Sequence, residues 1–273
     1  MTQIHDEAHN WQGLELCCET CVHRELMGED KCQHQHVCVE DRSPSRIDRF
    51  FELNPGLANE FLSHPYFEVR AAAAKYADVF HLTALLNDAD ETVRWAAAFR
   101  LPHRFLLRLR NDPHREVRIR VAAHLEGDEL LPMMSDPDYY VRQVVARRID
   151  VPQLKHMIDD PDPEVRREAA QRISKEWLPE LVSDPDVSVC LAAAKRLPPT
   201  QLLPLRFHPE FRVRYEAAGR VPVSALEAMR ADEDAMVREL VEERIAVAQP
   251  SSNVEHVLIE TSSQRWGREE SKT

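Results

Sequence analysis

Residues 160–173 read DPDPEVRREAAQRI, and the same phrase returns along the chain at a fixed interval of 24 residues. Its anchor, Val165, has counterparts at Val69, Val93, Val117, Val141, Val189, Val213 and Val237, with no insertion or deletion between them. Arginine follows the valine in seven of eight copies, as Arg70, Arg94, Arg118, Arg142, Arg166, Arg214 and Arg238, while Cys190 takes that place in the sixth. Five residues ahead of the valine stands His64, Asp88, Asp112, Asp136, Asp160, Asp184, His208 or Asp232, and proline follows it in six copies. A strict period of this length marks a repeat array, in which each unit buries its apolar face only against its neighbours.

The Asp-Pro step has a local meaning. Aspartate accepts hydrogen bonds from the free N–H groups of a first helical turn, and proline suits the first helical position. Each Asp-Pro is therefore expected to start a helix of three to four turns, ending at Ala77, Leu101, Leu125, Ile149, Ile173, Leu197, Val221 or Ile245. On such a helix Val165, Ala169, Ala170 and Ile173 share one stripe. The recurring alanines let successive helices stack closely. A second apolar pair three residues apart, such as Leu82 and Leu85 or Leu154 and Met157, recurs in each repeat. In a short, proline-flanked stretch that spacing predicts a 3₁₀ turn rather than a strand. The recurring arginine falls near the buried stripe and needs a partner there. The recurring aspartate of the same or the adjacent repeat is the expected one, giving an Asp–Arg ladder. The rival reading is a row of arginines that awaits an anionic ligand.

Upstream of the repeats lie five of the six cysteines, Cys17, Cys18, Cys21, Cys32 and Cys38. In a reducing compartment such a group reads as metal ligation rather than as disulfides. One set of four joins Cys18 and Cys21 to Cys32 and Cys38 across a short loop that contains Gly28. Cys17 adjoins Cys18 and is an alternative ligand or a spare thiol. Four thiolates suit zinc or a [4Fe–4S] cluster, and spacing does not separate the two. His23, His34 and His36 are potential ligands, but the expected reading is exposed loop residues. Cys190 reads as a small packing residue. Ser43-Pro44 opens a further helix through Phe50 and Phe51, and Asn54-Pro55 leads to Ala58 and Phe61. The organisation expected is a cysteine-rich module over 1–41, a capping segment over 42–63, eight repeats over 64–248, and a polar, mobile tail over 249–273 with Trp266 as an exposed aromatic.

Two further stretches, Cys38-Val39-Glu40-Asp41-Arg42 and Arg46-Ile47-Asp48-Arg49-Phe50-Phe51, stand between the cysteines and the Asp-Pro-x-x-x-Val-Arg repeats. With both flanking features they resemble the leucine-rich-repeat-variant proteins that carry an N-terminal iron–sulfur module. The resemblance spans most of the chain. It implies an all-α, right-handed solenoid of alternating α and 3₁₀ helices. It also implies a [4Fe–4S] cluster, in preference to zinc, on Cys18, Cys21, Cys32 and Cys38. It supplies no enzymatic activity.

The formal net charge of −12 and pI of about 5.6 disfavour nucleic acid as a partner. Residues 1–40 hold 2 basic against 8 acidic side chains, so the cysteine module suits a positively charged partner. No apolar run reaches the length of a membrane span, and the polar residues 1–10 do not resemble a signal peptide; a cytoplasmic location is expected. No P-loop, G-x-S-x-G, H-E-x-x-H or Gly-rich dinucleotide turn is present, which argues against an enzyme. The helix face that varies between repeats carries Trp95, Phe99, Ile119, Leu191, Phe211 and Tyr215, residue types suited to binding. The function expected is that of an interaction protein with a structural or redox-responsive cluster. Electron transfer to a redox enzyme and nucleic-acid binding through the arginines are the alternatives.

Overall fold

The computed structural model describes residues 8–248; the tail expected to be mobile, Trp266 included, lies outside the described residues. The chain divides into two compact units, residues 1–150 and 151–273. In the first, helices α1 (Pro44–Leu53), α2 (Phe67–Tyr76), α3 (Glu91–Arg100), α4 (Arg115–Ala122) and α5 (Tyr139–Arg148) alternate with 3₁₀ segments Pro55–Phe61, Val79–Asn87, His103–Leu109 and Gly127–Ser135. In the second, a 3₁₀ segment Val151–His156 precedes α6 (Pro163–Arg172), and Lys175–Trp177 runs straight into one α turn, α7 (Leu178–Leu181). There follow α8 (Val187–Ala194), a 3₁₀ segment Pro199–Phe207, α9 (Phe211–Arg220), a 3₁₀ segment Val223–Met229 and α10 (Ala235–Ala248). Among the described residues there is no strand, only isolated bridges near the cysteines.

Within each unit every repeat helix packs on the next: α1 to α5 in order, then α6, α8, α9 and α10. The stripe expected from the period is the core. Val93, Val141, Val165, Val189, Val213 and Val237 are fully buried, as are the paired alanines beside them on α3, α6, α8 and α9. Leu82, Leu130, Leu154, Leu178, Leu202 and Leu226 close the core from the 3₁₀ side.

Helix starts differ from expectation. The helices begin three residues after the recurring aspartate, and the side-chain cap belongs to the residue two places on: Asp90 accepts from the N–H of Thr92, Asp138 from that of Tyr140, Asp162 from that of Glu164 and Asp186 from that of Ser188. Most repeat helices are correspondingly short, 10 residues in α2, α3, α5, α6 and α9. The recurring aspartate has a different task. One oxygen accepts from the N–H two residues on, as Asp88 does from Asp90 and Asp112 from His114, making an Asx turn ahead of the cap. The carboxylate also receives the arginine of the preceding repeat.

That arginine forms the expected ladder, always towards the following repeat. Within the units the pairs are Arg70–Asp88, Arg94–Asp112, Arg118–Asp136, Arg166–Asp184 and Arg214–Asp232, each bidentate through Nε and Nη2 at 2.6–3.1 Å. The remaining Nη1 donates to carbonyls of the arginine's own turn, as Arg94 does to Asp88 and Ala89. One guanidinium therefore holds two consecutive turns in register. Burial pushes the Asp88 carboxyl up, but the Arg70 guanidinium and the Asp90 N–H hold it below the ordinary 3.8; Arg214 does the same for Asp232.

The exception obeys the same geometry. Cys190 stands where arginine is expected, and the residue 18 places on, otherwise aspartate, is His208. The Cys190 thiol donates to the Asp184 carbonyl at 3.0 Å, the acceptor an arginine would use. His208 Nδ1 takes over the turn, accepting from the Glu210 N–H at 3.1 Å. Cation and anion are thus lost together, and neither is left buried without its partner. A second arginine series, not anticipated from the sequence, caps helix C-termini. Arg100 donates to the Ala74 and Ala77 carbonyls, Arg220 to those of Ala194 and Leu197, and Arg244 to those of Ala218 and Val221. Cations are favourable at these exposed carbonyls.

Candidate metal centre

The cysteine module is built from short turns tied to α1. Bridges pair His9 with Glu15 and Asn10 with Asp41, so the segment before the cysteines lies against the one after them. A two-turn 3₁₀ stretch, Arg24–Glu29, ends at Asp30, whose φ of 57° reverses the chain, and the Lys31 N–H then donates to the Leu26 carbonyl. Gln33 and Val37 exchange backbone hydrogen bonds around Gln35, itself left-handed at φ 64°. This closed loop brings its flanking residues, Cys32 and Cys38, abreast. The Cys38 N–H donates to the Arg46 carbonyl on α1, and the buried Asp41 carboxylate accepts from the Ser43 N–H and from Arg46 Nη1 at 3.0 Å.

Cys18, Cys21, Cys32 and Cys38 line one cavity of about 350 Å³, to which the exposed Cys17 and Thr20 also contribute. Cys32 and Cys38 form its buried wall, and Cys18 and Cys21 are half-buried. Burial pushes the Cys38 thiol up to about 12, and burial together with the neighbouring sulfurs raises Cys18 and Cys32. The four groups feel one another: Cys38 is raised by Cys32 and Cys21, and Cys32 by Cys21 and Cys18. Thiolates held together in this way need a cation between them, which is the chemistry of a metal-binding donor set. Backbone donors are already aimed at sulfur, since the His23 N–H reaches Cys21 Sγ at 3.4 Å. A single zinc ion requires ligands about 2.3 Å from one point. The four cysteines share one cavity, and four thiols facing a common space are the donor set that either zinc or a [4Fe–4S] cluster takes.

The remaining candidates separate. Cys17 is exposed, and hydrogen bonds from the Thr20 side chain and the Thr20 and Glu19 backbone favour its thiolate. His34 lies on the cavity wall with Nδ1 3.3 Å from Cys18 Sγ, while His36 is exposed in the 33–37 turn. His23 is not an exposed loop residue: its ring packs 5.6 Å from both Phe50 and Phe61. Of the residues expected to bind a partner, Trp95 and Phe99 meet on α3 with ring centres 5.8 Å apart. His124 and Arg120, neither anticipated, complete that group, with the Arg120 guanidinium 5.6 Å above the Trp95 ring. Ile119 is half-buried on α4; in the second unit Leu191 is half-buried and Phe211 and Tyr215 are partly exposed.

Comparison with known proteins follows the same division. Residues 8–60 match the family described as "LRV protein FeS4 cluster". A solved structure described as a leucine-rich repeat variant with a novel repetitive structural motif superposes with a TM-score of 0.80 at 38% identity, covering 84% of this chain and 98% of that one. An uncharacterized 27.7 kDa protein in the nifB 3′ region of Rhodobacter capsulatus is 47% identical over 96 residues. That match spans 35% of this chain and 39% of the relative's length.

Proposed function

This chain belongs to the leucine-rich-repeat-variant proteins with an N-terminal FeS4-cluster module, and from that premise we propose that Cys18, Cys21, Cys32 and Cys38 hold one [4Fe–4S] cluster whose state is passed to a repeat array that binds a protein partner, without a catalytic reaction of its own. When bound, the cluster supplies one-electron redox chemistry. The residues around it hold four sulfurs, supply N–H donors to them and join them to the repeats.

The junction carries this reading. Asn54, buried between α1 and the Pro55–Phe61 segment, donates through Nδ2 to the carbonyl of Lys31, next to Cys32, and to that of Phe50. The His23 ring rests on Phe50 and Phe61, and Trp11 stacks on Tyr66. The Cys21 segment therefore rests on the aromatic layer through His23, and the Cys32 segment is tied to the end of α1 through Asn54. A change at the sulfurs reaches α1 and α2 through contacts already in place. Hydrogen exchange on the oxidised and the dithionite-reduced protein tests this. Altered protection in residues 44–76 supports a redox-responsive element; identical exchange reduces the cluster to a structural one.

One observation favours electron transfer as a second reading. Leu14, Val22 and Met27 stand exposed around the mouth of the cluster cavity, in a module with 2 basic against 8 acidic side chains. An apolar rim in an acidic field suits a transient, cationic redox partner. Stopped-flow oxidation of the reduced protein by cytochrome c, a cationic acceptor, is then fast and slowed by salt; a rate indifferent to salt and to Val22→Ser contradicts it.

A further inference from the structure

A groove of about 570 Å³ lies on the first unit between α2 and α3, away from the cysteines. Its floor is small: Ala71 and Ala72 of α2 and Ala96 of α3. Its wall is large: Trp95, half-buried, and Phe99, 64% exposed. The step from small to large is not required by the repeat. The position two after the anchor valine is Ala71, Trp95, Ile119 and Gln143 in consecutive repeats, and the position six after it is Lys75, Phe99, Ala123 and Arg147. Trp95 and Phe99 stand one turn apart at positions whose side chain varies between repeats, and Phe99 is largely exposed. Such residues are the commonest anchors of protein interfaces.

Charge says what the groove accepts. Arg120 lies over the Trp95 ring and meets no carboxylate among the described residues. Arg100 spends its hydrogen bonds on the Ala74 and Ala77 carbonyls and also meets none. Lys75 is held by Asp48, and Glu68 is the one carboxylate of the lining. Two guanidiniums with no carboxylate partner among the described residues, beside an aromatic wall, are conspicuous in a chain of net charge −12. The volume lies within the ordinary range of about 300–1,000 Å³ for ligand clefts. Its place between neighbouring helices suits a helix laid into a groove.

We propose that this groove docks an acidic amphipathic helix of another protein, seating a large apolar side chain on the alanine floor against Trp95 and Phe99 while its carboxylates meet Arg100 and Arg120. The inference rests on the partner-binding reading above and specifies the partner's chemistry.

A displayed library of randomised helical peptides, panned on the anaerobically purified full chain, is the probe. Enrichment of peptides with large apolar residues at helical spacing among Asp and Glu is expected. Their affinity should fall about tenfold or more for Phe99→Ser and for Arg120→Glu, with circular dichroism unchanged. Enrichment of basic or neutral peptides, or of peptides held equally by both variants, overturns the proposal. Peptides lost only with Phe211→Ser or Tyr215→Ser overturn the groove and leave the partner-binding reading standing. No enrichment above background overturns both.

Discussion

Replacing Arg94 by cysteine, alone and together with Asp112→His, transplants the sixth repeat's solution into the second. Arg94 donates at 2.7 and 2.6 Å to Asp112, whose side chain is 2% exposed, and at 2.9 and 3.1 Å to the Asp88 and Ala89 carbonyls. The single substitution leaves a buried carboxylate with one N–H donor, from His114. Removing one partner of a buried ion pair costs about 3–5 kcal/mol. The double variant lets a cysteine thiol reach the Asp88 carbonyl, as Cys190 reaches that of Asp184, and lets histidine Nδ1 take the His114 N–H, as His208 takes that of Glu210. Replacing both members of a buried pair is often close to neutral. The second change is therefore expected to restore about 2 kcal/mol or more. Hydrogen exchange of amides in α3 and α4 reads this local opening energy without assuming that a repeat array unfolds in one step. A single variant that loses less than about 1 kcal/mol, against the about 3–5 expected, or a double variant no better than the single, refutes the reasoning.

Other perturbations give equally direct readings. Asp88 and Asp232 have folded-state carboxyls held below 3.8, so the stability they contribute is complete above that value and is lost as pH falls through the folded values. Acid unfolding followed by circular dichroism should steepen below about pH 4, and should flatten in Arg70→Met with Arg214→Met. Cys18→Ser, Cys21→Ser, Cys32→Ser and Cys38→Ser should each cut bound iron sharply, whereas Cys17→Ser and Cys190→Ser should keep it; full loss in Cys17→Ser would reassign the first ligand. Asn54→Leu removes two buried hydrogen bonds and should cost about 1–3 kcal/mol, read as a lower melting temperature and faster iron loss. Gln35→Gly relieves a side chain held at φ 64° and should leave stability unchanged or raise it by up to about 1 kcal/mol; a marked loss would show that the Gln35 side chain matters.

The repeat was legible because its constraints recur. A valine every 24 residues, followed in five of eight repeats by an alanine pair, faces inward on a helix, and the leucine pairs suit a tighter turn, though Leu178 and Leu181 stand on the α turn α7. The arginine's need for a partner followed from its place near the stripe. What period alone did not fix was the division of labour between neighbouring acids. In Asp88-Ala89-Asp90 the first aspartate makes the turn and meets Arg70, while the second caps the helix. The two tasks differ by two residues and use the same side chain, so propensity does not distinguish them. The capping arginines were visible at the same period, as Arg100, Arg148, Arg196, Arg220 and Arg244. Their role is not legible locally, because their acceptors lie 23 or 26 residues back. In the module, the spacing offered Cys18, Cys21, Cys32 and Cys38 as one choice of four ligands and the resemblance implied that set, but neither gave the packing of His23 on Phe50 and Phe61, which depends on a tertiary contact.

The central claim is that four cysteines of the N-terminal module enclose an iron–sulfur cluster rather than a single ion. Iron, acid-labile sulfide and zinc analysis of anaerobically purified protein, with absorption and EPR spectra before and after dithionite, tests it most directly. About four iron and four sulfide per chain, with reversible bleaching and a signal from the reduced form, is the predicted result. One zinc and no sulfide would contradict it, and would leave a zinc-held scaffold whose function lies in the repeat surface alone.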